Sequence, residues 1–139
     1  MSTLTRFGIS LDTELLEKFD QLIQAKGYAN RSEAIRDLIR DTLVQNEWEN
    51  ENQETIGTIT IIYDHHVQQI SHNKIAKEHK HYHQIISTMH VHLDHENCLE
   101  VSAVRGRASE IRQIADEIIG MKGIKHGKLV TTTTGKNLK

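Results

Sequence analysis

Histidine is concentrated in one part of the 139-residue chain. Nine of its ten histidines lie between His65 and His95, and the single cysteine, Cys98, follows directly. Imidazole nitrogen and thiolate sulfur are the donors that bind late first-row transition metals. The densest part has the sequence M-H-V-H-L-D-H-E-N-C and ends at Cys98. This composition predicts a metal site in the second half of the chain.

The spacing of these residues fits a β-hairpin that presents donors on one face. Alternation along a strand puts His90 and His92 on the same side and the apolar residues between them on the other. Residues two apart in a strand are roughly 7 Å apart, so two imidazoles can converge on one ion. Cys98, across the hairpin turn, can supply a third donor, and Glu100 is expected beside it.

The strand after the turn is expected to divide in the same way. With Cys98 and Glu100 on the ligand face, alternation predicts that the opposite residues fill the core, namely Leu99, Val101 and Ala103. Glu100 can then either accept a hydrogen bond from a ligand imidazole or remain a solvated strand carboxylate.

Composition sets broad limits. A chain with 37% hydrophobic and 4% aromatic residues forms thin cores, so burial against partner chains is expected. The formal charge of −2 favours no particular partner, and residues 1–50 carry six Lys and Arg against nine Asp and Glu. One cysteine excludes an intrachain disulfide and fits a reducing compartment. Without an apolar run of membrane-spanning length or a signal-peptide pattern, we expect a cytoplasmic protein with no membrane partner.

The first 46 residues predict a strand followed by two helices. Phe7, Ile9 and Leu11 form a period-two apolar face within a short strand over Thr3–Leu11. Asp12 or Thr13 caps a helix that ends at Gly27, and Asn30 caps a second helix that runs to about Val44. One unpaired strand and two short helices cannot fold alone. Two copies that pair their strands would solve this, so the unit is expected to dimerise.

The rest of the chain predicts a hydrophilic linker and an α+β domain. Residues 47–55 are mostly Asn, Glu and Gln and form the linker. Strands are expected over 57–63, 85–94, 98–104 and 124–134, with helices over 66–83 and 109–120. This βαββαβ order makes an antiparallel sheet covered on one face by two helices, the ferredoxin-like arrangement. The domain covers residues 56–134, and 135–139 form a flexible tail.

The N-terminal unit resembles the ribbon-helix-helix family of DNA-binding proteins. The resemblance rests on the strand R-F-G-I-S-L, on Gly27 between the helices and on N-R-S-E-A-I-R at the second helix. It implies an intertwined dimer whose paired strands enter the major groove of double-stranded DNA. The expected DNA-binding residues are the outward-facing strand residues and the start of the second helix, namely Arg6, Gly8, Ser10, Arg31 and Ser32. Gly8 departs from the family pattern because it has no side chain for readout. The alternative is a unit used only for assembly.

The whole chain resembles the family of nickel-responsive transcriptional regulators. A ribbon-helix-helix front, a βαββαβ domain and H-V-H-x-x-H-x-x-C carry this resemblance. It implies an ACT-type regulatory domain at the centre of a homotetramer. It also implies one Ni²⁺ per chain, held in a square plane by His90, His92 and Cys98 of one chain and His79 of a neighbour. Square-planar N/S coordination suits Ni(II) and Cu(II), whereas zinc prefers a tetrahedron, so sequence alone leaves other metals open.

The same resemblance implies further binding. A potassium-type cation is expected between the domains at Glu33 and Asp37, one helical turn apart. His65 and His66 resemble positions used for secondary metal binding or DNA-backbone contacts.

The implied function is a repressor that binds a palindromic operator as a dimer of dimers when nickel is bound. Alternatives are regulation by copper, zinc or cobalt, or metal buffering. An enzyme is not expected. A metal-dependent hydrolase needs an open coordination position and a nearby general base, and in this sequence nothing beyond Glu100 offers such a base.

Overall fold

A computed structural model describes residues 3–66, 80–81 and 83–139. The chain forms two compact units, one up to Leu43 together with residues 137–139, and one from Val44 to Lys136. In the described residues, no helix combines the length and apolar character needed to cross a bilayer.

The first unit contains the two predicted helices, α1 over Thr13–Ala25 and α2 from Arg31. Asp12 caps α1 by accepting the Glu14 backbone N–H at 2.9 Å. The chain leaves α1 through Gly27, whose φ of +79° lies in the left-handed region that favours glycine. Asn30 caps α2 by accepting the Glu33 backbone N–H at 2.9 Å. These caps confirm the predicted helix starts and the predicted break between the helices.

The predicted N-terminal strand is not formed in the single chain. Residues 3–12 carry no strand hydrogen bonds in the structure, and the apolar face remains open, with Phe7 69% and Ile9 58% exposed. A strand needs a second strand to satisfy its backbone groups, and the described residues of this unit contain no other strand. The strand is predicted only as one of a pair in a dimer, and it therefore stays a prediction for two copies of the chain.

Helix α2 is longer than predicted and ends at Glu49. Its last turn carries Trp48, which is 2% exposed and packs in the core of the second unit. The Trp48 indole N–H donates to the backbone carbonyl of Thr132 at 2.7 Å. The stretch predicted as a linker, 47–55, thus contains the end of α2 and the first residues of a strand. A single tryptophan among polar residues leaves no periodic pattern, which is why the helix end is missed.

The second unit contains a four-stranded antiparallel sheet, as predicted. Its elements are β1 (Glu54–Asp64), β2 (Ile85–His92), β3 (Asn97–Arg107), α3 (Ala108–Ile119) and β4 (Ile124–Thr131). The strand order is β2-β3-β1-β4, so β1 and β3 are central. This is the split βαβ arrangement that the element order predicts. The other predicted helix, 66–83, lies largely outside the described residues.

The core lies on the face of the sheet that α3 covers. Ile59 and Ile61 of β1 pack there with Ile111 and Ile114 of α3, all at most 2% exposed. Gly127 of β4 allows the close approach of α3, because a Cβ at this position would lie 2.6 Å from a side-chain atom of Ile119. The amphipathic stripe of α3 therefore decides which side of the sheet becomes the interior.

The predicted division of β3 is wrong in one respect. The buried residues of β3 are Cys98, Glu100, Ser102 and Val104, whereas Leu99, Val101 and Ala103 are only half-buried. The ligand face and the helix-covered core face are thus the same face. The opposite face is also apolar, and Met89, Val91 and Leu93 of this face are 56%, 38% and 52% exposed. Sequence patterning did not discriminate between two apolar faces.

Candidate metal centre

Cys98 lies at the start of β3, between the ends of two other strands. Its register partners are Tyr63 of β1 and His92 of β2. The thiol side chain is almost fully buried, with Cys98 2% exposed. Its Sγ lies 3.2 Å from Nδ1 of His92 and 3.4 Å from Nδ1 of His65. The antiparallel register therefore places two imidazoles against one thiol.

These three donors are close enough to share an ion. The ligand atoms of His65, His92 and Cys98 lie within 4.8 Å of one another. With metal–nitrogen and metal–sulfur bonds of about 2.0 and 2.3 Å, neighbouring donors on one ion are roughly 3 Å apart. The distances from Sγ to both imidazoles are close to that value. The arrangement fits a late first-row transition metal bound by nitrogen and sulfur.

His90 is on the predicted face but outside this three-donor group. It pairs across the sheet with Glu100, and its Nδ1 lies 3.4 Å from Glu100 Oε2 and 3.4 Å from the Tyr63 hydroxyl. The Glu100 side chain is only 3% exposed, whereas that of His90 is 50% exposed. The buried carboxylate of Glu100 thus lies beside the exposed imidazole of His90. This is the place beside an imidazole that the sequence predicts for Glu100, and the structure adds the Tyr63 hydroxyl.

The hairpin turn between β2 and β3 is tightly hydrogen-bonded. Asp94 Oδ1 accepts the backbone N–H groups of Glu96 and Asn97, each at 2.8 Å. The Asn97 side-chain amide donates to Asp94 Oδ2 at 2.9 Å. These hydrogen bonds, with the Asn97 side-chain amide first, lower the pKa of Asp94 to about 2. The ionised carboxylate of Asp94 therefore holds Asn97, the residue before Cys98, in place.

His65 is the donor whose role the sequence underestimates. It directly follows β1, whose last residue Asp64 pairs with Asn97. This register brings His65 beside the hairpin turn, and its ring packs edge-on against that of His92 with centroids 5.3 Å apart. The signal in the sequence is the position of two histidines at the end of a strand that must pair with the strand of Cys98.

The fourth predicted ligand, His79, lies outside the described residues. Beyond it, His81 Nε2 lies 2.9 Å from Glu117 Oε2 on α3. The hydrogen bond from His81, with a further contribution from Lys80, lowers the pKa of Glu117. Residues 80–81 are thus bonded to α3.

The predicted DNA-binding residues fall into two groups. Arg6, Gly8 and Ser10 are exposed within residues 3–12. Arg31 and Ser32 are the first residues of α2 and are also exposed, but the Arg31 guanidinium binds both carboxylate oxygens of Asp20, each at 2.7 Å. The backbone N–H groups in the first turn of α2 have no intrahelical carbonyl to which they can donate.

The carboxylates predicted for a second cation lie on α2. Glu33 is exposed, whereas Asp37 accepts the Tyr28 hydroxyl at 2.8 Å and lies 3.5 Å from Arg40. This bond to Asp37 raises the pKa of the Tyr28 hydroxyl. One of the two carboxylates is therefore already engaged within its own unit.

Comparison with known proteins defines two modules. Residues 5–45 match the family model described as "Ribbon-helix-helix protein, copG family", and residues 56–132 match "NikR C terminal nickel binding domain". Together the two models cover both units, so a DNA-binding module is joined to a nickel-binding one. The class is that of transcriptional regulators rather than of enzymes.

Three named relatives are similar to this chain over nearly its whole length. The chain is 61% identical over 135 residues to a protein of Caldanaerobacter subterraneus subsp. tengcongensis, with 97% of this chain and 88% of that protein covered. It is 60% identical to one of Geotalea uraniireducens and 57% identical to one of Geobacter metallireducens, each over 138 residues and 99% of both chains. All three carry the name "Putative nickel-responsive regulator". The chain belongs to the NikR family of nickel-responsive regulators.

Proposed function

We propose that this protein is a nickel-dependent repressor that binds a palindromic operator when Ni²⁺ occupies sites at the interface of a homotetramer. The observation that carries the proposal is the thiol of Cys98 beside the imidazole of His92, 3.2 Å apart, in a chain that also has a ribbon-helix-helix module. Membership of the nickel-responsive family supports nickel over copper, zinc or cobalt as the regulating ion.

The proposed ligands are His90, His92 and Cys98 of one chain and His79 of a neighbouring chain, with one nickel per chain. His92 and Cys98 already lie together, and His90 stands on the same face two register pairs further along. When bound, nickel would supply a Lewis-acid centre that joins donors from two subunits.

Two exposed apolar surfaces support the proposed assembly. Phe7 and Ile9 need a second N-terminal segment for burial. Met89, Val91 and Leu93 are exposed on the apolar face of the sheet, and an apolar patch of this kind is typical of a subunit interface. Two different interfaces per chain produce a dimer of dimers.

The charge of the DNA-binding half supports conditional binding. Six cationic against nine acidic residues in the first fifty give little attraction to phosphate. We propose that Arg6, Gly8 and Ser10 contact bases and that the start of α2 at Arg31 and Ser32 contacts the backbone. Metal-linked ordering of two such dimers would then supply the affinity that charge does not. A potassium-type cation at Glu33 and Asp37 and a cytoplasmic location belong to the same proposal.

The experiment is selection of operator DNA from a random palindromic library with nickel present, followed by binding measurements with and without Ni²⁺. The proposal predicts that the selected DNA is bound tightly with nickel and at least tenfold more weakly without it, and that Cys98→Ala removes the nickel effect. Parallel titrations with Cu²⁺, Zn²⁺ and Co²⁺ test the competing regulators. DNA binding that is equal with and without every metal would overturn the proposal, and several ions per chain without any DNA binding would favour a metal buffer.

A further inference from the structure

The hairpin turn Asp94–Asn97 joins the three segments that carry His65, His92 and Cys98, the donor side chains that lie together in the structure. His92 precedes the turn at the end of β2 and Cys98 follows it at the start of β3. The third segment, residues 65–66, is also bonded to the turn. The His65 backbone N–H donates to the Glu96 carbonyl at 3.2 Å, and His66 Nε2 donates to the His95 carbonyl at 2.7 Å.

One side chain organises this turn. Asp94 Oδ1 accepts from the backbone of Glu96 and Asn97 at 2.8 Å each and from the Asn97 side-chain amide at 3.1 Å, and Oδ2 accepts from the same amide at 2.9 Å. Hydrogen bonds to an ionised acceptor are roughly twice as strong as neutral ones. The turn is also fixed from outside, because Lys125 donates to Asn97 Oδ1 at 2.6 Å.

The backbone of the turn determines the direction of the Cys98 side chain. The Leu93 N–H donates to the Asn97 carbonyl at 2.9 Å, which closes the turn directly before Cys98. A shift of the Asn97 peptide would move Sγ relative to His92, and it would also move the carbonyls that hold residues 65–66. A metal site tolerates little misplacement of its donors, because these must lie within a few tenths of an ångström of the ideal bond length.

We propose that Asp94 is a positioning residue of the metal centre, which sets the spacing between Cys98 and the imidazoles without itself binding the ion. The inference rests on the proposed function, because it assumes that His92 and Cys98 share nickel. A positioning role, unlike a purely structural one, changes nickel affinity and the thiolate-to-nickel absorption of a chain that still folds. The partner of the carboxylate is an amide three residues away, so the pair should work in either order.

The test compares Asp94→Asn, Asn97→Asp and the double exchange Asp94→Asn/Asn97→Asp with the wild-type chain. Asp94→Asn removes the charge and places two amides against each other, and Asn97→Asp places two carboxylates together. The exchange restores one carboxylate and one amide across the turn and keeps an acceptor for Lys125. Glu54→Gln is the matched control, because it makes the same charge change at an exposed ion pair with Arg105 on the far end of β1.

Nickel affinity is measured by competition with a chelator, together with the thiolate-to-nickel charge-transfer absorption at saturation. We expect Asp94→Asn to weaken binding roughly tenfold, the size of effect found when the groups that orient metal ligands are removed, and to shift the absorption band. The exchange should restore both, and Glu54→Gln should change neither.

Equal affinity and an equal band for wild type and Asp94→Asn would overturn the proposal, and so would an exchange variant that folds but binds as weakly as Asp94→Asn. If Asp94→Asn does not fold, the exchange variant decides by comparison with wild type, and a folded exchange variant that binds nickel roughly tenfold more weakly than wild type overturns the proposal. Failure of the proposed function is distinguishable, since wild type itself would then lack the thiolate band.

Discussion

Cys98 Sγ lies 3.2 Å from Nδ1 of His92, at the register position where β3 and β2 pair these two residues. The thiol is buried and the imidazole is exposed, so one donor approaches from the protein interior and the other from the solvent side. Because the two residues flank a hydrogen-bonded turn, their separation is set by the backbone.

Glu100→Gln should weaken nickel binding about 10- to 100-fold, the range found for groups that orient metal ligands. The buried Glu100 carboxylate lies 3.4 Å from His90 Nδ1 and is placed to fix the orientation of that ring. A neutral amide of the same shape loses the charge-assisted contact. Ser102→Ala, on the same face of β3 two residues further along, is the control and should bind nickel as wild type does. Unchanged affinity in Glu100→Gln would show that Glu100 does not orient His90.

Asp20→Asn should tighten DNA binding and steepen its salt dependence. In the structure both oxygens of the Asp20 carboxylate bind the Arg31 guanidinium at 2.7 Å, and this contact lowers the pKa of Asp20. Removal of the negative charge frees Arg31 for phosphate, and each additional phosphate contact adds about 0.9 to the slope of log affinity against log salt. The measurement is binding to the selected operator over a series of salt concentrations. Glu17→Gln makes the same charge change one turn earlier on α1, so equal effects of the two variants would contradict a specific role of Arg31.

Ile111→Ala should lower the free energy of unfolding by about 2–5 kcal/mol, as expected for the cavity left by a large buried aliphatic side chain. Ile111 is 0% exposed and lies in the core that α3 forms with the sheet. Denaturant unfolding can be followed by the fluorescence of the single tryptophan, because Trp48 belongs to the same core. Lys128→Ala, at an exposed position of β4, should change stability by no more than about 0.5 kcal/mol. A loss of similar size in both variants would contradict the assigned core.

Stability should decrease in acid partly through Glu54. Hydrogen bonding to Arg105, with a further contribution from Lys136, lowers the pKa of Glu54 from its ordinary value of 4.5. Because the folded carboxylate binds a proton less readily than the unfolded one, this contribution is present above pH 4.5 and is lost as the pH falls below it. Glu54→Gln should therefore be less stable than wild type at neutral pH, and the difference should disappear in acid. A difference that persists below the folded pKa would have another origin.

Features that depend on neighbours in sequence were predictable. The caps at Asp12 and Asn30 and the break at Gly27 follow from single residues with strong positional preferences. The sheet order follows from the alternation of strand and helix patterns. The contact between His92 and Cys98 was also predictable, since a hairpin with a short turn allows a single register, and that register pairs these two residues.

Features that depend on residues distant in sequence or on a second chain were not predictable. Cys98 and Leu99 lie on two apolar faces of one strand, and the stripe of α3 decides which is covered in a single chain. Trp48 is buried by contacts with Thr132, 84 residues away, which no local pattern shows. The N-terminal strand requires a second copy of the chain. His65 lies beside Cys98 through the pairing of β1 with β3, which no pattern local to His65 shows.

The most direct test of the nickel site is titration of the full-length protein with Ni²⁺, followed by absorption spectroscopy, for wild type, Cys98→Ala and Cys98→Ser. If Cys98 binds nickel together with the neighbouring imidazoles, wild type develops a thiolate-to-nickel charge-transfer band that saturates at one nickel per chain, and both variants lack it. A band of equal intensity in the variants, or its absence from wild type with nickel bound, would contradict the assignment.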